Sequence, residues 1–289
     1  MKRRVILIAT IVACFSFGFV VKSNIKKSVF TLQELIQDPM VSVNVTSNGK
    51  YTGASVSIEI ESKFSKNITM QIPQGTLFYP ENDKEQTLVL PETNMIAINK
   101  KSKQSILVKG YCSESSDKCP SEGGSFKIGN SKNKKLKQLF AYLKTKEFQD
   151  HQIQESIWCI TDDKSIGNIY EEEDTKLRET VAEITGGTIP WQSTRREITV
   201  DDEQNIVSEP VEITGQIKFG TKRITKVMSK IIRENGELIH QFSKVMTIPK
   251  ADNITFNFNV KVKGWEQGKY FVVYFTDLNR ELVKQEFTL

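Results

Sequence analysis

Residues 41–63 read VSVNVTSNGKYTGASVSIEIESK, and their alternation decides the fold class. Val41, Val43 and Val45 fall on one side of an extended chain, and Val56, Ile58 and Ile60 do the same after the turn Ser47-Asn48-Gly49. Side chains of a strand point alternately to opposite faces, so each run predicts a strand with one buried face. The Asn-Gly step between them predicts an antiparallel hairpin. Short runs of the same kind follow: NITMQIP (67–73), TLFYP (76–80), QTLVLP (86–91), MIAI (95–98) and SILVKGYC (105–112). Strands this short and this closely spaced are those of an antiparallel β-sandwich, because βαβ units need helix-length crossovers.

The period changes at KNKKLKQLFAYLKTKEF (132–148). There Leu136, Leu139, Phe140 and Leu143 recur at helical spacing, and the lysines occupy the other face. A second helix is predicted over about 152–161, with Ile153, Ile157 and Ile160 as its apolar stripe and Gln154 one turn from Trp158. EEEDTKLRETVAEITGG (171–187) reads as a third. Its acidic start complements the helix dipole, Leu177, Val181 and Ile184 form its apolar side, and Gly186-Gly187 ends it. TIPWQSTRREITVDDEQN (188–205) loses periodicity and reads as a linker. A second β region starts at Ile206, with Asn235-Gly236 as a type I′ hairpin signal and Phe256, Phe258 and Val260 on one face. The expected architecture is mainly β with a helical segment: two β-sandwich domains, the first carrying about three helices. The boundaries are 1–23 for a signal or anchor segment, 24–186 for the first domain, 187–205 for the linker and 206–289 for an Ig-like sandwich.

The chain opens MKRR and continues VILIATIVACFSFGFVV (5–21), a positive stretch before an apolar run, which is the order of an export signal. Three fates remain open for it: cleavage near residues 21–23, lipidation of Cys14 in the lipobox-like Ile11-Val12-Ala13-Cys14, or retention as an anchor. Each predicts export to the cell envelope, the outer surface or the medium, with membrane contact only through this segment. Disulfides are permitted there. With Cys14 set aside, Cys112, Cys119 and Cys159 leave an odd thiol: Cys112 pairs with Cys119, or Cys119 pairs with Cys159 and frees Cys112.

Composition narrows the function classes. Charged residues make up 26% and hydrophobic ones 38%, as in a folded soluble chain, and the formal charge of +5 is spread without a basic stripe, so nucleic acid is not an expected partner. Only His151 and His240 are available for histidine chemistry, and no Cys-x-x-Cys, Gly-x-Ser-x-Gly or phosphate-binding loop occurs. No metal, cofactor or catalytic set is therefore assigned.

Tyr111-Cys112 followed, after helices, by Gln154-Glu155-Ser156-Ile157-Trp158 and Thr161-Asp162 resembles the thioester domains of bacterial surface adhesins over about residues 40–170. In that family a (Tyr/Phe)-Cys motif precedes a Gln-x-Ala-Ile-Trp segment. The resemblance implies that the Cys112 thiol and the Gln154 amide condense to an internal thioester flanked by Tyr111 and Trp158, which an amine on a surface protein or glycan then opens. Ser156 stands where the family has Ala, and Ser113-Glu114-Ser115 follows Cys112 where an apolar residue is usual. The last eighty or so residues, through GQIKF, ENGELI, GKYFVVYF and the terminal EFTL, resemble the Ig-like modules that close secreted bacterial proteins. The expectation is an exported surface protein that binds or attaches, covalently if the thioester forms. The alternatives are an enzyme or accessory subunit acting on envelope polysaccharide or protein, and a purely structural sandwich with a Cys112–Cys119 disulfide.

Overall fold

The computed structural model describes residues 28–170 and 176–289. Cys14 and the export segment lie outside these residues, as does the acidic stretch 171–174. In chain order the elements begin β1 (Val29–Thr31), α1 (Leu32–Gln37), β2 (Val41–Ser47), β3 (Ala54–Ser62), β4 (Ile68–Ile72), β5 (Thr76–Pro80) and β6 (Leu88–Val89). They continue with β7 (Asn94–Ile98), β8 (Lys103–Lys109), β9 (Tyr111–Cys112), β10 (Phe126–Asn130), α2 (Lys134–Leu143), α3 (Asp150–Thr161), a 3-10 turn (Ile166–Asn168) and α4 (Lys176–Thr185). The rest is β: β11 (Gln192–Val200), β12 (Ile206–Thr221), β13 (Thr225–Arg233), β14 (Leu238–Gln241), β15 (Met246–Ile248), β16 (Ala251–Lys261), β17 (Lys269–Thr276) and β18 (Glu281–Thr288). The fold is mainly β with a helical segment, and its sheets pack as β-sandwiches.

Three small sheets enclose the first core: β2-β3-β8, β1-β4-β7 and β10-β5-β6-β9. The opening hairpin pairs Val45 with Ile58 and Val43 with Ile60, and Val56, Ile58 and Ile60 are buried as the alternation predicts. They meet Ile68, Met70 and Ile72 of β4 and Phe78, Leu88 and Phe126 of the third sheet. A second cluster forms where Leu136, Leu139 and Phe140 of α2 and Leu177 and Val181 of α4 pack against one side of α3 and the backs of Val89 and Tyr111. Helix α3 therefore lies between two cores. All seven residues from Gln154 to Ile160 are buried, so it is not the one-faced amphipathic helix its Ile spacing suggests. Helix α1 is an addition to the three expected helices. Its signal is the capping box Thr31-Leu32-Gln33-Glu34, in which the Glu34 carboxylate accepts from Thr31 N–H and Thr31 Oγ1 accepts from Glu34 N–H.

The third core lies between the sheets β11-β12-β16 and β14-β13-β17-β18, with β15 also paired to β13. Phe258 and Val260 bury the face expected of them, and Tyr270 stacks on Phe287. Two details differ from the sequence reading. The Asn235-Gly236 hairpin forms, but only Gly236 takes a positive φ (86°), and its N–H donates to Arg233 O. A type I turn closed by a left-handed glycine results, in place of type I′.

The stretch expected as a linker carries β11, which pairs antiparallel with β12 from Gln192↔Gly215 to Val200↔Ile206. Polar contacts hold it where apolar periodicity is missing. Arg195 pairs with Glu212 across the strands (2.9 Å), Lys263 reaches Glu197 (2.6 Å), and the Arg178 guanidinium of α4 donates to Ser193 Oγ and to the carbonyls of Pro190 and Gln192. The ribbon leans on the first core through Ile198 and Ile206. At its turn, Gln204 O accepts the N–H of Cys119 at 2.7 Å.

Candidate functional site

Strand β9 and helix α3 run alongside one another and are tied at three levels. At the start of α3, Asp150 Oδ1 accepts from Tyr111 Oη (2.7 Å) and Lys109 Nζ (3.0 Å). Burial pulls the Asp150 carboxyl upward, but these hydrogen bonds and the Lys109 and His151 charges win and hold it below its ordinary value. Burial and the Asp150 bond push the Tyr111 phenol up. Gly53, with φ 69°, makes the close approach possible, because a Cβ there would meet Asp150 Oδ2 at 2.7 Å. At the far end, Asp162, which caps α3, accepts from Ser115 N–H.

The middle tie joins the two expected site residues. The fully buried Gln154 carboxamide donates from Nε2 to Cys112 O at 2.7 Å, and its Oε1 accepts from Cys112 N–H at 3.1 Å. That N–H is shared with Tyr51 O at 3.0 Å. Gln154 thus pairs with Cys112 as a neighbouring strand's peptide group would. The arrangement has chemical content. A backbone N–H aimed at a carbonyl oxygen stabilises the charge that develops there when a nucleophile attacks the carbonyl carbon. The residue that supplies the donor also carries the thiol.

The Cys112 thiol is free and fully buried. Burial, with Cys119 and Glu114 nearby, raises its pKa well above that of an ordinary cysteine, so it is a protonated thiol at neutral pH. Trp158, one turn along, belongs to the same core cluster as Cys112 and stacks on Tyr51 with centroids 6.1 Å apart and planes 11° from parallel. Burial, followed by Glu155, Cys112 and Cys119, moves the Tyr51 phenol up to about 12. Tyr51, Asp150 and Glu155 are the residues that sequence reading missed. Asp150 had a signal, an acidic group in the first turn of a helix; Tyr51, in a turn between strands, had none.

Neither expected disulfide is formed: Cys112, Cys119 and Cys159 are all free thiols. Cys119 sits under the turn after β2, its Sγ 3.7 Å from Gly49 O, with its N–H bound to Gln204. Cys159 points away from both, into the helical cluster, with Sγ 3.5 Å from Ser165 O. Burial raises Cys119 to about 11 and Cys159 to about 12. Cys119 therefore has no bridging partner in Cys159, and Cys112 faces Gln154.

On another side of α3, Glu155 is 4% exposed, and its Oε2 has no hydrogen-bond partner. Burial raises its pKa to about 7 against the opposing pull of Arg196 on β11, Lys164 after α3 and an Asn168 hydrogen bond. An acid with a higher pKa folded than unfolded binds more protons in the native state between the two values. Its stabilising effect is complete below about 4.5 and is lost as pH rises through about 7. We expect Glu155→Gln to remove that dependence and to be the more stable form above pH 7, by up to roughly 3 kcal/mol. Urea melts of both proteins from pH 4 to 8 check this, and parallel pH profiles would contradict it.

No family model and no curated protein matches the chain. Among solved structures, 87% of the chain aligns with 31% of a red sea bream transglutaminase at 9% identity and TM-score 0.20. In the same comparison, 86% aligns with 35% of a putative beta-galactosidase from Bacteroides fragilis at 9% identity and TM-score 0.23. The chain spans about a third of the length of each. At these TM-scores neither likeness bears on the chemistry.

Proposed function

We propose that this is an exported surface-attachment protein whose Cys112 and Gln154 condense to an internal thioester, which an amine on a surface partner then opens. The observation that carries the reading is the pair of hydrogen bonds between the Gln154 carboxamide and the backbone of Cys112, a residue whose own thiol is free and buried. In the condensation the Cys112 sulfur bonds to the Gln154 side-chain carbonyl carbon and the carbon–nitrogen bond breaks. The thiol proton leaves with the amide nitrogen as ammonia. In the opening step an amine nitrogen takes the acyl carbon, the carbon–sulfur bond breaks, and the amine's proton returns to sulfur. The partner is left joined through an amide. Burial among Trp158, Tyr51 and the first core supports the reading, because a thioester persists only where water is kept from it.

Intact-mass measurement of the unreduced full chain tests the proposal. We expect a mass one ammonia lighter than the polypeptide, uptake of one methylamine on incubation, and loss of both behaviours in Cys112→Ala. An unaltered polypeptide mass with no methylamine adduct would overturn it.

A further inference from the structure

The C-terminal sandwich ends in a tip built from three turns: 222–224 between β12 and β13, 249–250 between β15 and β16, and 277–280 between β17 and β18. They share one end because Val227 of β13 pairs with Thr276 of β17, Thr225 of β13 with Ile248 of β15, and Thr221 of β12 with Ala251 of β16. Every residue of these turns is exposed. Ile224 is 74% and Leu278 77% exposed, the highest values for any large apolar side chain among the described residues, and neither joins the core of the sandwich. Around them stand Lys222, Arg223, Lys250 and Arg280 against one carboxylate, Asp277. None of the four cations forms an ion pair among the described residues. We propose that this tip docks on an anionic lipid surface, with Ile224 and Leu278 entering the headgroup layer and the four cations meeting the lipid phosphates.

The turns hold the aliphatic pair outward on a fixed backbone. At Leu278, Asn279 N–H donates to Thr276 O (2.8 Å), Thr276 N–H to Arg280 O (2.9 Å) and Arg280 N–H to Thr276 Oγ1 (3.2 Å). Asn279 takes the left-handed place of this turn, with φ 58°. Turn positions favour Gly, Asn, Asp and Ser, so a leucine at the apex gains neither from turn chemistry nor from the core. Beside Ile224, Thr225 Oγ1 donates to Arg223 O (2.7 Å). The surroundings select the partner. Two aliphatic side chains fall far short of the roughly 800 Å² that a stable protein partner covers on each side. Reversible membrane binding adds a small buried apolar area to the attraction of Lys and Arg for anionic headgroups, and the tip supplies both. At the opposite end of the sandwich the cations are neutralised instead: Arg233 meets Glu237 and Glu266, and Lys269 lies 3.9 Å from Glu234. The tip is separate from the thioester chemistry and from the N-terminal segment, and it stands whether or not Cys112 and Gln154 condense.

The full chain carrying Leu278→Trp reads the tip directly when measured beside the unsubstituted chain, whose native tryptophans and N-terminal segment provide the baseline. With vesicles of mixed phosphatidylglycerol and phosphatidylcholine, the added indole is expected to shift its emission to the blue and to be quenched by lipids brominated near the headgroup. Phosphatidylcholine alone, and glycerol phosphate as the headgroup without its chains, are expected to leave the emission unchanged. In the same background, Lys222→Glu with Arg223→Glu is expected to raise the lipid concentration at half-effect by at least about tenfold. Ile224→Ser, at a side chain outside the core, is expected to raise it about tenfold. No shift on anionic vesicles, an equal shift on phosphatidylcholine, a shift with glycerol phosphate, or an unchanged half-effect in either variant would overturn the inference. So would a shift without lipid that grows with protein concentration, which would assign the tip to a second copy of the chain.

Discussion

Gln154→Glu will destabilise the protein by roughly 3–5 kcal/mol at neutral pH and recover part of that loss in acid. The side chain it replaces is fully buried and donates to Cys112 O from a nitrogen 2.7 Å away. A carboxylate puts an oxygen in that nitrogen's place, with no proton to offer and a charge buried away from water. Burial will raise the pKa of the new acid, so the protonated form, which can again donate to Cys112 O, dominates at low pH. The stability it retains is complete below the unfolded carboxyl pKa and is lost as pH rises through the raised one. The comparison is best made with Cys112→Ala as the parent, so that a covalent link does not enter the difference. Urea unfolding at pH 4, 6 and 8 gives the profile. A Gln154→Glu chain within about 0.5 kcal/mol of its parent at pH 8 would show that the clamp contributes little.

A second large effect is expected at Gly215, which faces Phe258 on one neighbouring strand and Gln192 on the other. Its φ is not in the left-handed region, so the demand for glycine is one of space. A methyl there would lie 2.6 Å from Trp191 O, 2.9 Å from Trp191 Cε3 and 3.0 Å from Gln192 Cα, two of them backbone atoms. Gly215→Ala must therefore move the start of β11. That shift disturbs the Trp191 Nε1 bond to Glu286 O (2.6 Å) and the edge-on contact of Trp191 with Phe258 (5.7 Å between centroids). We expect a loss of about 2–4 kcal/mol, read as a fall in Tm of roughly 5–15 °C. Gly236→Ala, whose Cβ would meet nothing within 4 Å but which takes a φ of 86°, separates this steric cost from a purely conformational one.

Both sandwiches and most helices were legible because apolar residues repeat at period two or near 3.6, as in β3, β16 and α2. The Cys112–Gln154 pairing was legible only as a resemblance, since residues this far apart in the chain meet through the fold and not through local pattern. Strand β11 was not legible: its side chains are mostly polar, and Arg178, Glu212 and Lys263 fix it from elsewhere in the chain. The state of the cysteines was open for the same reason. Counting predicts one bridge and one thiol, whereas all three cysteines of the described residues are buried free thiols. Glu155 escaped notice because it reads as the polar face of an amphipathic helix, and only the second packing layer turns that face inward.

The ribbon of β11 and β12 also sets an order of assembly. The wall that Ile198 and Ile206 add to the first core, and the Gln204 carbonyl that takes up the Cys119 N–H, belong to residues made after α4. A chain growing or threading from its N-terminus therefore reaches residue 186 with that core still open on one side. Its apolar flank is closed only when the next twenty residues arrive. On this geometry the condensation proposed for Cys112 and Gln154 falls late, after a hairpin that contributes no atom to the proposed bond.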